Sequence, residues 1–197
     1  MTAAAPCWSC GGATDGLFCA QCNALQPPQP TDLFARLGIP AAFEFDGALL
    51  ERRYFELQRK LHPDKFASRG PKEREYSLQH TANLNEAHKV MRSPLLRAEY
   101  LLRHRGHQMP DGEHTVADPE ILMHAMEMRE ALADATSRAE VEAVAVQARG
   151  EANTVIEQLA AAFAENNLPA AERLALRLRY LEKFADEARD KRVRASA

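Results

Sequence analysis

A mainly α-helical protein is what this sequence predicts, with a small N-terminal four-cysteine metal knuckle, a helical hairpin and a C-terminal antiparallel three-helix bundle. Three observations lead there. All four cysteines fall within the first twenty-two residues as two Cys-x-x-Cys pairs. Apolar residues recur at helical spacing on both sides of a proline break at Pro63. The last eighty residues read as helix, interrupted only by short polar connections.

The knuckle comes first. Cys7-Trp-Ser-Cys10 and Cys19-Ala-Gln-Cys22 each place two thiols on one tight turn, and two such turns close a tetrahedral site. Gly11, Gly12 and Gly16 suit those turns, and Trp8 and Phe18 are the large side chains available to cover an ion. About twenty residues cannot build a self-sufficient core, whereas metal binding supplies on the order of 10–16 kcal/mol in small zinc peptides. Zinc is the favoured ion. Iron, an iron–sulfur cluster or a pair of disulfides are the other states the spacing admits. Four protein ligands leave no open coordination position, so the expected role is structural, with a thiol switch as the functional alternative.

Gln26-Pro27-Pro28-Gln29-Pro30 is an extended spacer. Thr31 or Asp32 can cap a short helix through Leu37, closed by Gly38 and Pro40. Asp46 then caps a helix with Leu50, Tyr54, Leu57 and Leu61 on its apolar stripe. Arg52, Arg53, Arg59 and Lys60 lie largely off that stripe, so the exposed side is positive. Pro63 ends the helix by disfavouring the helical conformation at His62, and the hairpin tip is left with His62 and Asp64. The return helix begins near Pro71, carries Leu84, Ala87 or His88, and Met91, and ends near Arg92. A further helix runs from Pro94 to Arg105, stopped at Gly106, and a polar connection through Pro110 and Gly112 follows.

Asp118-Pro119 opens the first helix of the bundle, Ser137 the second and Leu168-Pro169 the third. The second has Val141, Val144, Ala148, Ala152, Val155, Leu159 and Phe163 on one stripe; the third has Leu174, Leu178, Leu181 and Ala185. The first carries two stripes. Ile121, Ala125, Met128 and Leu132 would satisfy a core, while Leu122, Met123 and Met126 sit on another face bordered by Glu127, Glu130 and Asp134. Spacing alone leaves that second strip open between covered core and a partner site, for which adaptable thioethers are suited.

Composition limits the function classes. The 197 residues are 46% hydrophobic and 27% charged, with a net charge of −3, so nucleic-acid binding by overall electrostatics is not expected. No apolar run reaches bilayer length, so no membrane partner is expected either. Met1–Pro6 lacks the regions of a secretory signal. The expectation is a cytoplasmic bacterial protein, or a mitochondrial-matrix one if a transit peptide has been removed. Histidines 80, 88, 104, 107, 114 and 124 form no metal-ligand or nucleophile–base spacing, and His104 and His107 read as solvent-facing. No catalytic residue is expected, and the protein is read as no enzyme.

His62-Pro63-Asp64, the stripe before it and Asn85-Glu86-Ala87 resemble the J-domain of the DnaJ family of co-chaperones. With Ser93-Pro-Leu-Leu-Arg-Ala-Glu-Tyr-Leu-Leu102, His114-Thr-Val and Leu122-Met123…Met128-Arg-Glu130, the chain from about Asp32 onward resembles the HscB family, co-chaperones of iron–sulfur cluster biogenesis. The knuckle resembles the N-terminal extension of that family's animal mitochondrial members. The organisation expected is a knuckle over 1–26, a linker over 27–30, a J-domain over 31–105, a linker over 106–117 and a scaffold-binding bundle over 118–197.

The resemblance implies that His62, Pro63, Asp64, Arg52, Arg53, Arg59, Lys60 and Lys65 dock on a seventy-kilodalton DnaK/HscA-type chaperone and stimulate its ATPase. It implies that Leu122, Met123, Met126, Glu127 and Glu130, with Tyr180 beside them, bind the IscU-type cluster scaffold. Two positions depart from the family pattern. Met126 stands where Leu is usual, a volume-tolerant change, and His88 where a large aromatic is usual. A J-domain protein for another client and a zinc-dependent thiol redox sensor are the rival readings.

Overall fold

Local capping chemistry sets the helix boundaries in the computed structural model, which describes residues 5–108 and 118–194. His114-Thr-Val lies outside the described residues. Among those described, no helix is long and apolar enough to cross a membrane. The chain divides into two compact units, one of Met1–Ala41 with Phe45–Arg92 and the other of Ala42–Glu44 with Ser93–Ala197.

The first unit opens with two short strands, β1 (Ala5–Pro6) and β2 (Ala13–Thr14), paired antiparallel with Ala5 opposite Thr14. Sequence periodicity is blind to strands this short. Asp32 caps helix α1 (Leu33–Leu37) by accepting the Ala35 amide at 2.9 Å. Gly38 ends it at φ 64°, a conformation that costs glycine little. Asp46 caps α2 (Gly47–Leu61), and α3 (Pro71–Arg92) returns antiparallel after a single 3₁₀ turn over Pro63–Phe66. Phe34, Leu37, Leu50, Leu84, Ala87 and Met91 form the buried seam of these three helices. Each large side chain removed from water there contributes about 1.5–3 kcal/mol.

The carbonyl of Leu61 loses its helical donor at the break, and side chains from α3 supply the replacement. Ser77 Oγ donates to it at 2.6 Å and Thr81 Oγ1 at 3.3 Å. Tyr54 donates its hydroxyl to Asn85 Oδ1 at 3.0 Å, tying α2 to α3. His88 serves as the ring its position wants. It stacks on Tyr54 with centroids 3.8 Å apart and meets Glu51 at 3.1 Å.

The second unit holds α4 (Pro94–His104), α5 (Pro119–Asp134), α6 (Arg138–Ala164) and α7 (Leu168–Arg194). Ser137 and Glu140 form a reciprocal capping box at the start of α6. Helix α4, grouped with the hairpin when only the sequence is considered, belongs here by its contacts. Glu99 accepts from Arg179 of α7 at 2.7 and 3.1 Å, and Arg105 donates to the Phe163 carbonyl at 3.0 Å. Phe43 stacks on Phe163 at 5.2 Å, and the Arg97 guanidinium lies 4.8 Å over its ring. The buried stripes of α6 and α7 are shifted from the sequence reading. Ala145 is buried where Val144 was expected, Ala152 is half-buried, and α7 buries Ala171, Ala175, Phe184 and Ala188 beside Leu178 and Leu181 while Leu174 and Ala185 are half-exposed.

Candidate functional site

Three groups of predicted residues occupy three distinct places. In the knuckle, the Cys7 carbonyl accepts the Gly11 amide at 2.9 Å, and the Cys19 carbonyl accepts the Asn23 amide at 2.9 Å. Gly11 (φ 77°) and Asn23 (φ 56°) take the left-handed conformation that folds each turn back on itself. The turns bring Cys7 Sγ within 3.7 Å of Cys22 Sγ and Cys10 Sγ within 3.7 Å of Cys19 Sγ, and all four sulfurs lie within 4.8 Å of one another. A tetrahedral zinc–thiolate site with bonds near 2.3 Å has sulfurs about 3.8 Å apart, so the donor set fits one such ion. No disulfide joins them.

The charges argue the same way. Burial raises the Cys7 thiol, but the Cys10 and Ser9 amides and the Gln26 side chain outweigh it and bring it down to about 6. Cys10 is pushed up to about 12: the Gly12 amide favours its thiolate, and the neighbouring sulfurs, Cys22 first, oppose it. Four thiols this close cannot all ionise without a cation between them.

The knuckle also packs on the hairpin, which sequence reading left undetermined. Leu25 is fully buried with Leu61 and Phe66, edged by Leu17, Phe18, Leu57 and Tyr76. Trp8 meets Tyr76 edge-on at 5.8 Å and donates its indole N–H to the Leu25 carbonyl at 2.7 Å. His80 Nε2 lies 2.9 Å from the Gln26 carbonyl. Burial, then the charge of Arg36, holds the His80 imidazole below its usual range against the pull of that carbonyl.

The unfolded chain therefore binds a proton that the folded unit resists. Stability is full above about pH 6.5 and falls as pH drops toward the lowered value. His80→Gln keeps an amide donor and should flatten this acid-side slope, read as the melting difference from wild type at pH 7.5 and 5.5. An unchanged slope would place the titrating group elsewhere.

At the hairpin tip, His62 (ψ 131°) leaves the helical region, and its Nδ1 accepts the Asp64 amide at 3.3 Å. The His62 side chain is 48% exposed and that of Asp64 89%. Pro63 is half-buried in the turn. Arg52, Arg53, Arg59, Lys60 and Lys65 are all exposed, the first four sharing one side of α2 by helical spacing. Arg52 meets Asp46 at 3.5 Å and Arg53 meets Glu56 at 3.4 Å, contacts worth little in water. Arg59, Lys60 and Lys65 make no ion pair among the described residues.

On α5, Ile121, Met128 and Leu132 are buried, whereas Leu122 (41%), Met123 (63%) and Met126 (62%) are exposed. The second stripe is thus surface and not core, with Glu127 and Glu130 exposed at its border. Tyr180 is half-buried on α7 and lines a cleft of about 380 Å³ with Ile121, Ala125, Met128, Leu181 and Phe184. His107, expected to face solvent, is half-buried against Glu172 at 2.6 Å, a partner sixty-five positions away.

Residues 117–189 match the family model described as the HSCB C-terminal oligomerisation domain. The iron–sulfur cluster co-chaperone protein HscB of Mus musculus is 35% identical over 187 residues, covering 92% of this chain and 80% of its own. The crystal structure of human co-chaperone HscB superposes with a TM-score of 0.89 at 32% identity, over 95% of this chain and 98% of that one. The chaperone HscB from Vibrio cholerae gives 0.75 at 31% identity, over 84% and 99%. With a relative this similar spanned over most of its length, and with the fold shared along nearly the whole chain, the protein belongs to the HscB co-chaperone family.

Proposed function

We propose that this chain is an adaptor, not an enzyme. It stimulates the ATPase of a DnaK/HscA-type chaperone through the His62–Asp64 turn and the cationic flank of α2. It delivers an IscU-type scaffold, held on the Leu122–Met126 strip, to that chaperone for cluster transfer. The observation that carries this is the simultaneous exposure of two unlike surfaces, one cationic and one apolar, in different compact units. Two modest interfaces on one chain raise the effective concentration of each partner for the other. Relatives named as iron–sulfur cluster co-chaperones support the choice of client.

The test is a steady-state ATPase assay with purified chaperone. Stimulation by the chain alone, increased further by scaffold, is expected. Stimulation that ignores scaffold would point to another client, and none at all would end the adaptor reading.

For the knuckle we propose one structural zinc on Cys7, Cys10, Cys19 and Cys22. Elemental analysis should return one zinc per chain, and cobalt should replace it with the absorption of a tetrahedral thiolate site. Iron in stoichiometric amount, or two disulfides by mass, would overturn the assignment.

A further inference from the structure

Three residues at the end of the knuckle, Ala24, Leu25 and Gln26, face two ways at once. Toward the cysteines, the Gln26 side-chain amide donates to Cys7 Sγ at 3.3 Å and to the Ala24 carbonyl at 2.7 Å. The Ala24 carbonyl also accepts the Cys19 amide at 3.0 Å. Toward the hairpin, the Leu25 amide donates to Glu73 Oε1 at 3.2 Å, and the Gln26 carbonyl meets His80 Nε2. Between them, the Leu25 side chain is wholly buried against Leu61 and Phe66.

Those two contacts bracket the docking turn. Leu61 is the residue before His62, and Phe66 closes the 3₁₀ turn. Between them, the hydrogen bonds of the turn among the described residues are local: Lys65 N to the His62 carbonyl at 3.0 Å, Ala67 N to the Asp64 carbonyl at 3.4 Å, and Asp64 N to His62 Nδ1 at 3.3 Å. An exposed turn with so few bonds opens readily unless its ends are pinned by buried apolar groups. Here both ends are pinned against the same residue, which the knuckle supplies.

We infer that Leu25 and Gln26 are positioning residues through which the metal-loaded knuckle holds the His62–Phe66 turn in its docking geometry. The inference rests on reading that turn as the chaperone-docking site. The knuckle is too small to keep its fold without an ion. Releasing the metal therefore frees Leu25, and the pin common to Leu61 and Phe66 goes with it. Metal occupancy so sets how often the turn opens, although no cysteine touches His62, Pro63 or Asp64.

The test is hydrogen exchange by NMR on the full chain, zinc-loaded and chelator-stripped, read at the amides of Lys65, Ala67 and Arg69. Stripping should speed exchange there about ten-fold or more, and Leu25→Ala should do the same in the presence of zinc. Leu25→Met should retain protection, and Val155 and Leu178 in the bundle should not respond in any sample. Should Leu25→Ala fail to fold, Gln26→Ala leaves the apolar cluster in place. It should loosen the turn at zinc concentrations that still saturate wild type, since loss of such supporting bonds weakens metal sites about 10–100-fold.

Turn amides that stay within two-fold of the loaded rate, while the Gly11 and Asn23 amides exchange freely, would overturn the inference. In the ATPase assay, loosened variants should need more co-chaperone for half-maximal stimulation and reach the same maximum. If wild type fails to stimulate at all, the docking reading falls while the exchange result stands.

Discussion

His62→Gln is expected to reduce chaperone stimulation to the unstimulated rate with no shift in the melting curve. The side chain is half-exposed, and its polar contacts among the described residues are two long ones to Asp64, the amide at 3.3 Å and the carboxylate at 3.5 Å. Losing such contacts at the surface costs well under about 1 kcal/mol. The turn is held instead by its buried ends and by the phi restriction of Pro63. An imidazole kept this accessible, next to a carboxylate 89% exposed, contributes nothing to packing that a glutamine would forfeit. A drop of several degrees in the melt would mean that the histidine is structural. Retained stimulation with an unchanged melt would mean that docking lies elsewhere on the flank.

The second large effect is expected on the scaffold side. Replacing Leu122, Met123 and Met126 together by Ala should weaken scaffold binding about 100-fold or more, since apolar anchors central to an interface commonly cost 1–2 kcal/mol or more each. The melt should barely move, because truncations at exposed positions stay within about 0.5 kcal/mol. Met128→Ala on the buried stripe of the same helix is the contrast. It should cost about 2–5 kcal/mol and show plainly in a thermal melt. Equal scaffold affinity in the triple variant would remove the strip from the interface and direct attention to the cleft at Tyr180.

Much of this architecture was legible in the sequence because its punctuation is local. Asp32, Asp46, Pro63, Pro71, Pro94 and Asp118 act on amides within a few residues of themselves, and each begins or ends a helix where expected. The exposed strip on α5 was legible as a second stripe, though only the structure shows it to be uncovered. Burial in α6 and α7 was harder to read. Alanine fits either face, so Ala145 replaces Val144 in the core and Ala188 extends it past Ala185.

Long-range partners carried no signal. Leu25 meets Leu61 and Phe66 across more than thirty residues, and His107 finds Glu172 across sixty-five. Asn85, noticed as part of a motif, proves to accept the Tyr54 hydroxyl.

The brief visit of Ala42–Glu44 to the second unit has a practical outcome for anyone dissecting this protein. No single cleavage point yields both units whole. A fragment starting at Ser93 omits Phe43, which leaves the face of Phe163 and the Arg97 guanidinium bare to solvent. Such a truncation should be stickier in solution than its parent, and supplying the missing ring on a short tethered peptide would be the remedy.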